Sequence, residues 1–197
     1  EQSLQRIGTD RLDVLFFHSP THPDKIKDDV WTALDNLKQS GKVRFIGLSG
    51  GFIGDTAEMT RTWAADGRID VAQIAYSLMN REWEPIIADL GAKGVGIVAR
   101  ESLANGFLAG VFNKDTVFPE GSLNARYPRE EIIERVETVD SYKSLLVRAD
   151  VTSMAQAAMR WVVDNPHIST VLSGSRKLDE ILECAGAADA SPYTAEE

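Results

Sequence analysis

A single cysteine, Cys184, stands in 197 residues. One thiol excludes an internal disulfide framework and fits a reducing, cytoplasmic compartment. No apolar run approaches the roughly 18 residues that a membrane-spanning helix needs. No signal peptide opens the chain, and its first residue is Glu1 rather than Met, which points to a start further upstream. Basic charge is also short: 21 Lys and Arg stand against 30 Asp and Glu, a formal net charge of −9. A nucleic-acid footprint needs a basic stripe, and none is visible. No linker, low-complexity block or short repeat interrupts the chain, and no metal site is expected. We therefore expect one soluble domain over residues 1–197, with a core of ordinary size.

What is there is an alternation. Residues 1–8 read as the tail of a helix stopped by Gly8. Residues 12–17 form a continuous apolar run, the pattern of a strand buried on both faces. Over residues 28–40, Val30, Leu34 and Leu37 recur at helical spacing, and Gly41 supplies a stop. Strands are expected at 43–48, 70–76, 95–99 and 168–172, and helices at 56–65, 84–93, 130–147, from about 152 to Pro166, and 178–188. Ser153 and Gln156 have capping-box spacing. The stretch 105–129 reads as a long polar loop; loops of this length are usually functional or mobile. Strands alternating with helices indicate βα units and a parallel sheet.

His18 ends the first apolar run, in Val14-Leu15-Phe16-Phe17-His18-Ser19-Pro20. A polar ring at the C-terminal end of a parallel strand is where barrel enzymes place chemistry. Four further signals follow in order. They are Gly41-Lys42-Val43-Arg44-Phe45-Ile46-Gly47-Leu48-Ser49, Gln73-Ile74-Ala75-Tyr76-Ser77-Leu78-Met79-Asn80-Arg81, Ser102-Leu103-Ala104-Asn105-Gly106-Phe107-Leu108-Ala109-Gly110, and Gly174-Ser175-Arg176. With Gly8-Thr9-Asp10-Arg11-Leu12-Asp13 ahead of His18, this series resembles the aldo-keto reductases, (β/α)8 barrels that reduce carbonyls with NADPH. The resemblance covers almost the whole chain. It implies an α/β fold, a partial (β/α)8 TIM barrel holding strands four to eight only. In the family the first three strands carry a catalytic Tyr, a Lys that lowers its pKa, and an Asp that holds the Lys. No residue here matches those roles.

The resemblance gives His18 the task of orienting the carbonyl and assisting proton transfer. A neutral imidazole N–H can stabilise a developing alkoxide. Ser49 and Gln73 offer a hydroxyl and an amide to hold the nicotinamide carboxamide. The family usually has Asn after the Ser, where this chain has Gly50. Arg100 stands where many members place an aromatic ring, and its guanidinium plane can stack on a flat one; a surface pair with Glu101 is the plainer reading. Leu103, Asn105 and Gly106 bring backbone N–H groups near the pyrophosphate. Gly174, Ser175 and Arg176 lie between a strand and a helix, where N–H groups attract phosphate. Arg176 forks onto a 2′-phosphate, which favours NADP(H). Glu180 and Glu183 follow on the helix, Glu183 matching a carboxylate that contacts adenine; Cys184 replaces the family's usual Asn. His22 and His167 have no such context and read as surface residues.

Two functions compete. One is NADPH-dependent reduction of a small-molecule carbonyl. The other is a non-catalytic half-barrel that binds a nucleotide or a protein. With five strands, the outer edges would recruit either a second copy or the missing N-terminal segment.

Overall fold

A computed structural model describes residues 1–20, 22–51 and 53–194. Five strands form one sheet: β1 (Leu12–His18), β2 (Val43–Ser49), β3 (Val71–Ala75), β4 (Gly96–Arg100) and β5 (Thr170–Val171), in the order β1-β2-β3-β4-β5. The pairings of β1 with β2 and of β2 with β3 are parallel. Parallel neighbours need crossovers, which helices supply. The chain divides into two compact units, residues 1–74 with 82–98 and residues 75–81 with 99–197.

In the first unit, α1 (Gln2–Ile7) stops at Gly8, whose φ of 75° is a left-handed conformation that costs a glycine nothing. The helices α2 (Asp28–Gln39), α3 (Ile53–Ala65) and α4 (Glu84–Ala92) follow. Leu34 of α2, Val43, Ile46 and Leu48 of β2, and Met59 and Trp63 of α3 form the core with Ile69. Phe17, Trp31 and Trp63 meet edge-on or tilted, with ring centroids 4.9 to 5.8 Å apart. The expected double burial of β1 is not met: Leu12 and Val14 to Phe17 are half-buried. Among the described residues β1 has one neighbouring strand, β2, so its ladder is covered on one side only. Ahead of β3, the Asp70 carboxylate accepts from the Ile46 N–H (2.8 Å) and the Lys38 ammonium (2.8 Å). One side chain thereby ties α2 and β2 to the start of β3.

In the second unit, α5 (Arg129–Leu146), α6 (Met154–Asp164) and α7 (Leu178–Gly186) are the helices. Ile132, Val136 and Val139 of α5 pack with Met154, Ala157 and Ala158 of α6. The expected cap is present: Ser153 Oγ accepts from the Gln156 N–H at 3.2 Å. Its reciprocal half falls one residue earlier, where Gln156 Oε1 accepts from the Thr152 N–H. The strand expected over 168–172 shrinks to two residues. Asn165 takes the preceding chain into a turn, its Oδ1 accepting from the His167 N–H and its carbonyl from the Ile168 N–H.

The stretch expected as a polar loop is an ordered aromatic cluster. Short 3₁₀ turns occupy Ala104–Ala109 and Leu123–Arg126. Phe107, 1% exposed, meets Phe112, Phe118 and Tyr127 edge-to-face. The Arg135 guanidinium lies over the Tyr127 ring, 4.4 Å from its centroid. Among the described residues, no helix is long and apolar enough to cross a membrane.

Candidate functional site

The sequence-predicted residues fall into two groups, one in each unit. The first is built by strand register. His18 is the last residue of β1 and pairs with Ser49, the last of β2, which in turn pairs with Gln73 of β3. The strand run places His18 and Ser49 at the C-terminal ends of adjacent strands and Gln73 beside Ser49 in the middle of β3, without any loop choosing their positions. The Ser19 N–H donates to the Ser49 carbonyl at 2.9 Å, and the chain then turns through a left-handed Ser19. His18 is exposed, whereas Ser49 is 3% exposed. Ser49 Oγ donates to Gln73 Oε1 at 3.1 Å, which leaves the Gln73 amide nitrogen with two donors and Ser49 Oγ with lone pairs. A carboxamide needs that mixture of donor and acceptor.

Gly50 occupies the position where the family usually has Asn. Its N–H donates to the Gln73 carbonyl, and a Cβ built there would lie 3.4 Å from the Trp83 ring. A Cβ at 50 would just touch the buried indole. His22 is exposed, and its Nδ1 accepts from the Asp24 N–H within its own turn. His167 is half-buried in the turn after α6.

The second group surrounds a cavity of about 780 Å³. Leu103, Asn105 and Gly106 line one part of it, and Ser173, Gly174 and Arg176 another. Two loops that the sequence assigned separately to phosphate are thus brought to one cavity. Ala104, Asn105 and Gly106 all have positive φ, 47°, 57° and 91°. Two side-chain bonds secure this strained turn: Asn124 Nδ2 donates to the Asn105 carbonyl (2.9 Å), and Asn105 Nδ2 to the Tyr127 hydroxyl (3.1 Å). Gly106 spends its N–H on the Leu103 carbonyl. The N–H groups of Leu103 and Asn105, and those of Ser173, Gly174 and Ser175, meet no acceptor among the described residues. Unpaired backbone donors on two loops that line one cavity are the chemistry a phosphate chain requires. Arg176 is exposed at the cavity. These donors fit a nucleotide phosphate.

The remaining residues lie elsewhere. Arg100 pairs with the Glu101 carboxylate, as in the plainer reading, and is outside the cavity lining. Ser175 Oγ is 2.8 Å from Ser173 Oγ. Glu180 turns back to the start of α7, its Oε2 accepting from the N–H groups of Arg176 (2.7 Å) and Lys177 (3.3 Å). The Arg176 N–H holds its carboxyl below the usual carboxylate range. Glu183 is half-buried on the same helix. Sequence reasoning missed Phe112, Phe118 and Asn124, which all line the cavity. The recurrence of aromatics at 107, 112, 118 and 127 inside a stretch read as polar was the available signal.

The aldo/keto reductase family model matches residues 1–197. The NADH-specific methylglyoxal reductase of Escherichia coli is 26% identical over 189 residues, covering 92% of this chain and 55% of the relative. The aldo-keto reductase yakc, named for NADP(+), of Schizosaccharomyces pombe is 27% identical, covering 94% and 55%. The structure of the glycerol dehydrogenase AKR11B4 from Gluconobacter oxydans superposes with a TM-score of 0.76 at 25% identity, covering 98% of this chain and 58% of that one. The chain thus spans a little over half the length of these relatives. Fold, ordered motifs and full-length family match agree: the chain belongs to the aldo/keto reductase family.

Proposed function

We propose that this chain carries the cofactor-holding part of an NADPH-dependent carbonyl reductase, its five strands corresponding to the fourth to eighth of the family barrel. The observation that carries the reading is the cavity of about 780 Å³, lined by both the 103–106 turn and the 173–176 loop, each of which carries unpaired backbone N–H groups. A nicotinamide cofactor, when bound, supplies the hydride. The chain's own residues have separate tasks. Ser49 and Gln73 present an acceptor and amide donors to a carboxamide, fixing which ring face is offered. His18 aims a ring N–H at the oxygen on which negative charge develops. Leu103, Asn105 and the 173–175 backbone neutralise phosphate oxygens, and Arg176 forks onto a 2′-phosphate. The substrate is a small carbonyl compound, an aldehyde, ketone or sugar.

The names of relatives divide between NADH and NADP(+). Arg176 decides for NADP(H) in this reading, because a guanidinium pairs bidentately with a phosphate and gains little from a hydroxyl. Calorimetric titration of the chain and of Arg176→Ala with NADPH and NADH tests it. A charge-assisted contact predicts a loss of roughly 10–100-fold for NADPH and far less for NADH. Equal losses for both remove Arg176 from the 2′-phosphate. Proton transfer from a positioned acid contributes roughly 10²–10⁴-fold, and no described residue matches the family's Tyr and Lys. The chain alone is therefore expected to bind NADPH without oxidising it against 4-nitrobenzaldehyde. Turnover that is lost on His18→Ala would show the catalytic set to be complete.

A further inference from the structure

Asn105-Gly106 is the single Asn-Gly pair in the chain, and the turn that lines the cavity dictates both of its residues. Asn105 is left-handed, with φ 57° and ψ 28°, a conformation that asparagine tolerates better than most side chains. Gly106 follows at φ 91°, which strains any residue with a Cβ, and a Cβ there would also meet the Phe112 ring at 3.4 Å. The backbone thus selects a reactive pair. With no side chain on the second residue, its amide nitrogen is open to the asparagine side chain before it. The reaction is intramolecular. The Gly106 backbone nitrogen loses its proton and bonds to Asn105 Cγ; the Cγ–Nδ2 bond breaks, and Nδ2 leaves as ammonia with that proton. The product is a cyclic succinimide. Water then opens either carbonyl. One opening gives aspartate at 105, and the other gives isoaspartate, whose main chain runs through Cβ and is one methylene longer.

The folded turn blocks this reaction in several ways at once. Ring closure needs the Gly106 nitrogen on the same side of the Asn105 Cα–C bond as Cβ, and at ψ 28° the two lie nearly opposite each other. The Gly106 N–H is held by the Leu103 carbonyl at 2.9 Å. Asn105 Nδ2, the leaving group, donates to the Tyr127 hydroxyl at 3.1 Å. The Asn105 carbonyl, which must swing as ψ turns, accepts from Asn124 Nδ2 at 2.9 Å. Tyr127 is itself seated against Phe107 and under the Arg135 guanidinium. The attack therefore proceeds from a locally opened turn, and the bonds that close the turn set how often it opens.

We propose that Asn105 is a modification site of this chain, converted to aspartate and isoaspartate through the succinimide, and that the Tyr127–Asn105–Asn124 hydrogen bonds are the gate that sets its rate. Conversion adds a carboxylate, and in isoaspartate a longer main chain, to the turn that carries the unpaired N–H groups of Leu103 and Asn105. One consequence rests on the reading of this cavity as a phosphate site: an anion bound to those N–H groups holds the turn closed and slows the conversion.

The test follows Asn105 over time in the full chain, in Tyr127→Phe, in Tyr142→Phe, and in a synthetic peptide of residues 101–114, all in mildly alkaline, phosphate-free buffer. Tryptic digestion and chromatography with fragment-ion mass spectrometry separate the asparagine, aspartate and isoaspartate forms. The peptide has no turn to open and is expected to convert at least roughly tenfold faster than the chain, in which several hydrogen bonds must break first. Tyr127→Phe removes one of those bonds, which predicts a conversion roughly two- to tenfold faster than in the parent. Tyr142→Phe removes a hydroxyl that donates to the Leu78 carbonyl in the same unit. It is expected to leave the rate at Asn105 unchanged, which separates the gate from a general loosening. Equal acceleration by the two Tyr variants, or a chain that converts as fast as the peptide, overturns the proposal. A Tyr127→Phe chain that stays unmodified while the peptide is consumed overturns it as well. Inorganic pyrophosphate added to the parent is expected to slow the conversion by a factor of one plus its concentration over its Kd. Acceleration by Tyr127→Phe with no effect of pyrophosphate would leave the modification site standing and remove the phosphate reading of this turn.

Discussion

Phe107 holds the wall of the second-unit cavity, and its removal should couple stability to binding. Its ring is 1% exposed and meets three others edge-to-face, with centroids 5.3 Å from Phe112 and 5.8 Å from both Phe118 and Tyr127. The Arg135 guanidinium lies 5.5 Å from the Phe107 centroid. Truncating a buried Phe to Ala costs about 3–5 kcal/mol in lost transfer energy and cavity formation. Each aromatic pair adds about 0.5–1.5 kcal/mol beyond area, and three are lost at once. Phe107→Ala should therefore fall at the upper end, about 4–5 kcal/mol. That is a large part of the roughly 5–15 kcal/mol that stabilises an ordinary domain. Phe107→Leu keeps most of the volume and should cost about 1–2 kcal/mol. Because Phe112 and Phe118 lean on Phe107 and also line the cavity, the Leu variant should remain folded yet bind adenosine nucleotides less tightly. Urea unfolding followed by near-ultraviolet circular dichroism gives the first quantity, and calorimetry the second. A loss below about 2 kcal/mol for Phe107→Ala at unchanged m-value would mean that the cluster is not what orders the 104–127 segment.

Gly47 lies opposite Phe16 in the β1–β2 register, and a Cβ built on it falls 2.4 Å from the Phe16 ring; Gly47→Ala should cost about 1–3 kcal/mol, and pairing it with Phe16→Leu should recover most of that in a double-mutant cycle. Asp150 has its carboxyl pulled down to about 2, first by the Ser191 N–H that it accepts, with Arg148 adding to the effect. A carboxyl depressed in the folded state contributes stability above its ordinary value near 3.8 and loses it as pH falls toward 2, so the Ser191 amide resonance should titrate with a midpoint near 2 and should not titrate in Asp150→Asn; a midpoint near 3.8 would refute the contact. Leu178, Ile181 and Leu182 of α7 are 69%, 50% and 60% exposed at helical spacing, and such a stripe seeks cover; light scattering at micromolar concentration should show a dimer or larger species, and a stable monomer would contradict it.

What the sequence made legible follows from how each feature is built. The ends of β1 and β2 could be read because their apolar runs stop at His18 and Ser49; Gln73, in the middle of β3, was found through the resemblance, and the parallel ladder sets it beside Ser49. The Ser153 cap was readable because a hydroxyl at that spacing has one good use. The 105–129 stretch was not readable, because its order comes from four aromatic rings at irregular spacing meeting in space, and no periodicity reports that. The short β5 was overestimated because an apolar run says nothing of the Asn165 side chain, which bends the chain ahead of it. Glu180 was read only as a cofactor-side residue of the last helix, next to Arg176. It accepts from the amides of Arg176 and Lys177, which lead into its own helix, a local pairing that composition does not reveal.

The two groups of site residues should therefore respond differently to substitution. Ser49 and Gln73 are placed by backbone hydrogen bonds that their side chains do not make. Their mutual contact is a single neutral hydrogen bond, whose net contribution is about 0.5–1.5 kcal/mol. Gln73→Ala should leave the strands where they are and change only what a carboxamide would meet. Around the cavity, position depends on side chains: Asn124 secures the left-handed turn at Asn105, Tyr127 accepts from Asn105, and Phe107 supports both Tyr127 and Phe112. A residue of this aromatic and amide cluster cannot be altered for binding without also being altered for folding. Variants at the strand ends should consequently scatter along the binding axis at nearly constant stability. Variants of the aromatic cluster should lose both together, and a cluster variant that lost nucleotide affinity at full stability would break that argument.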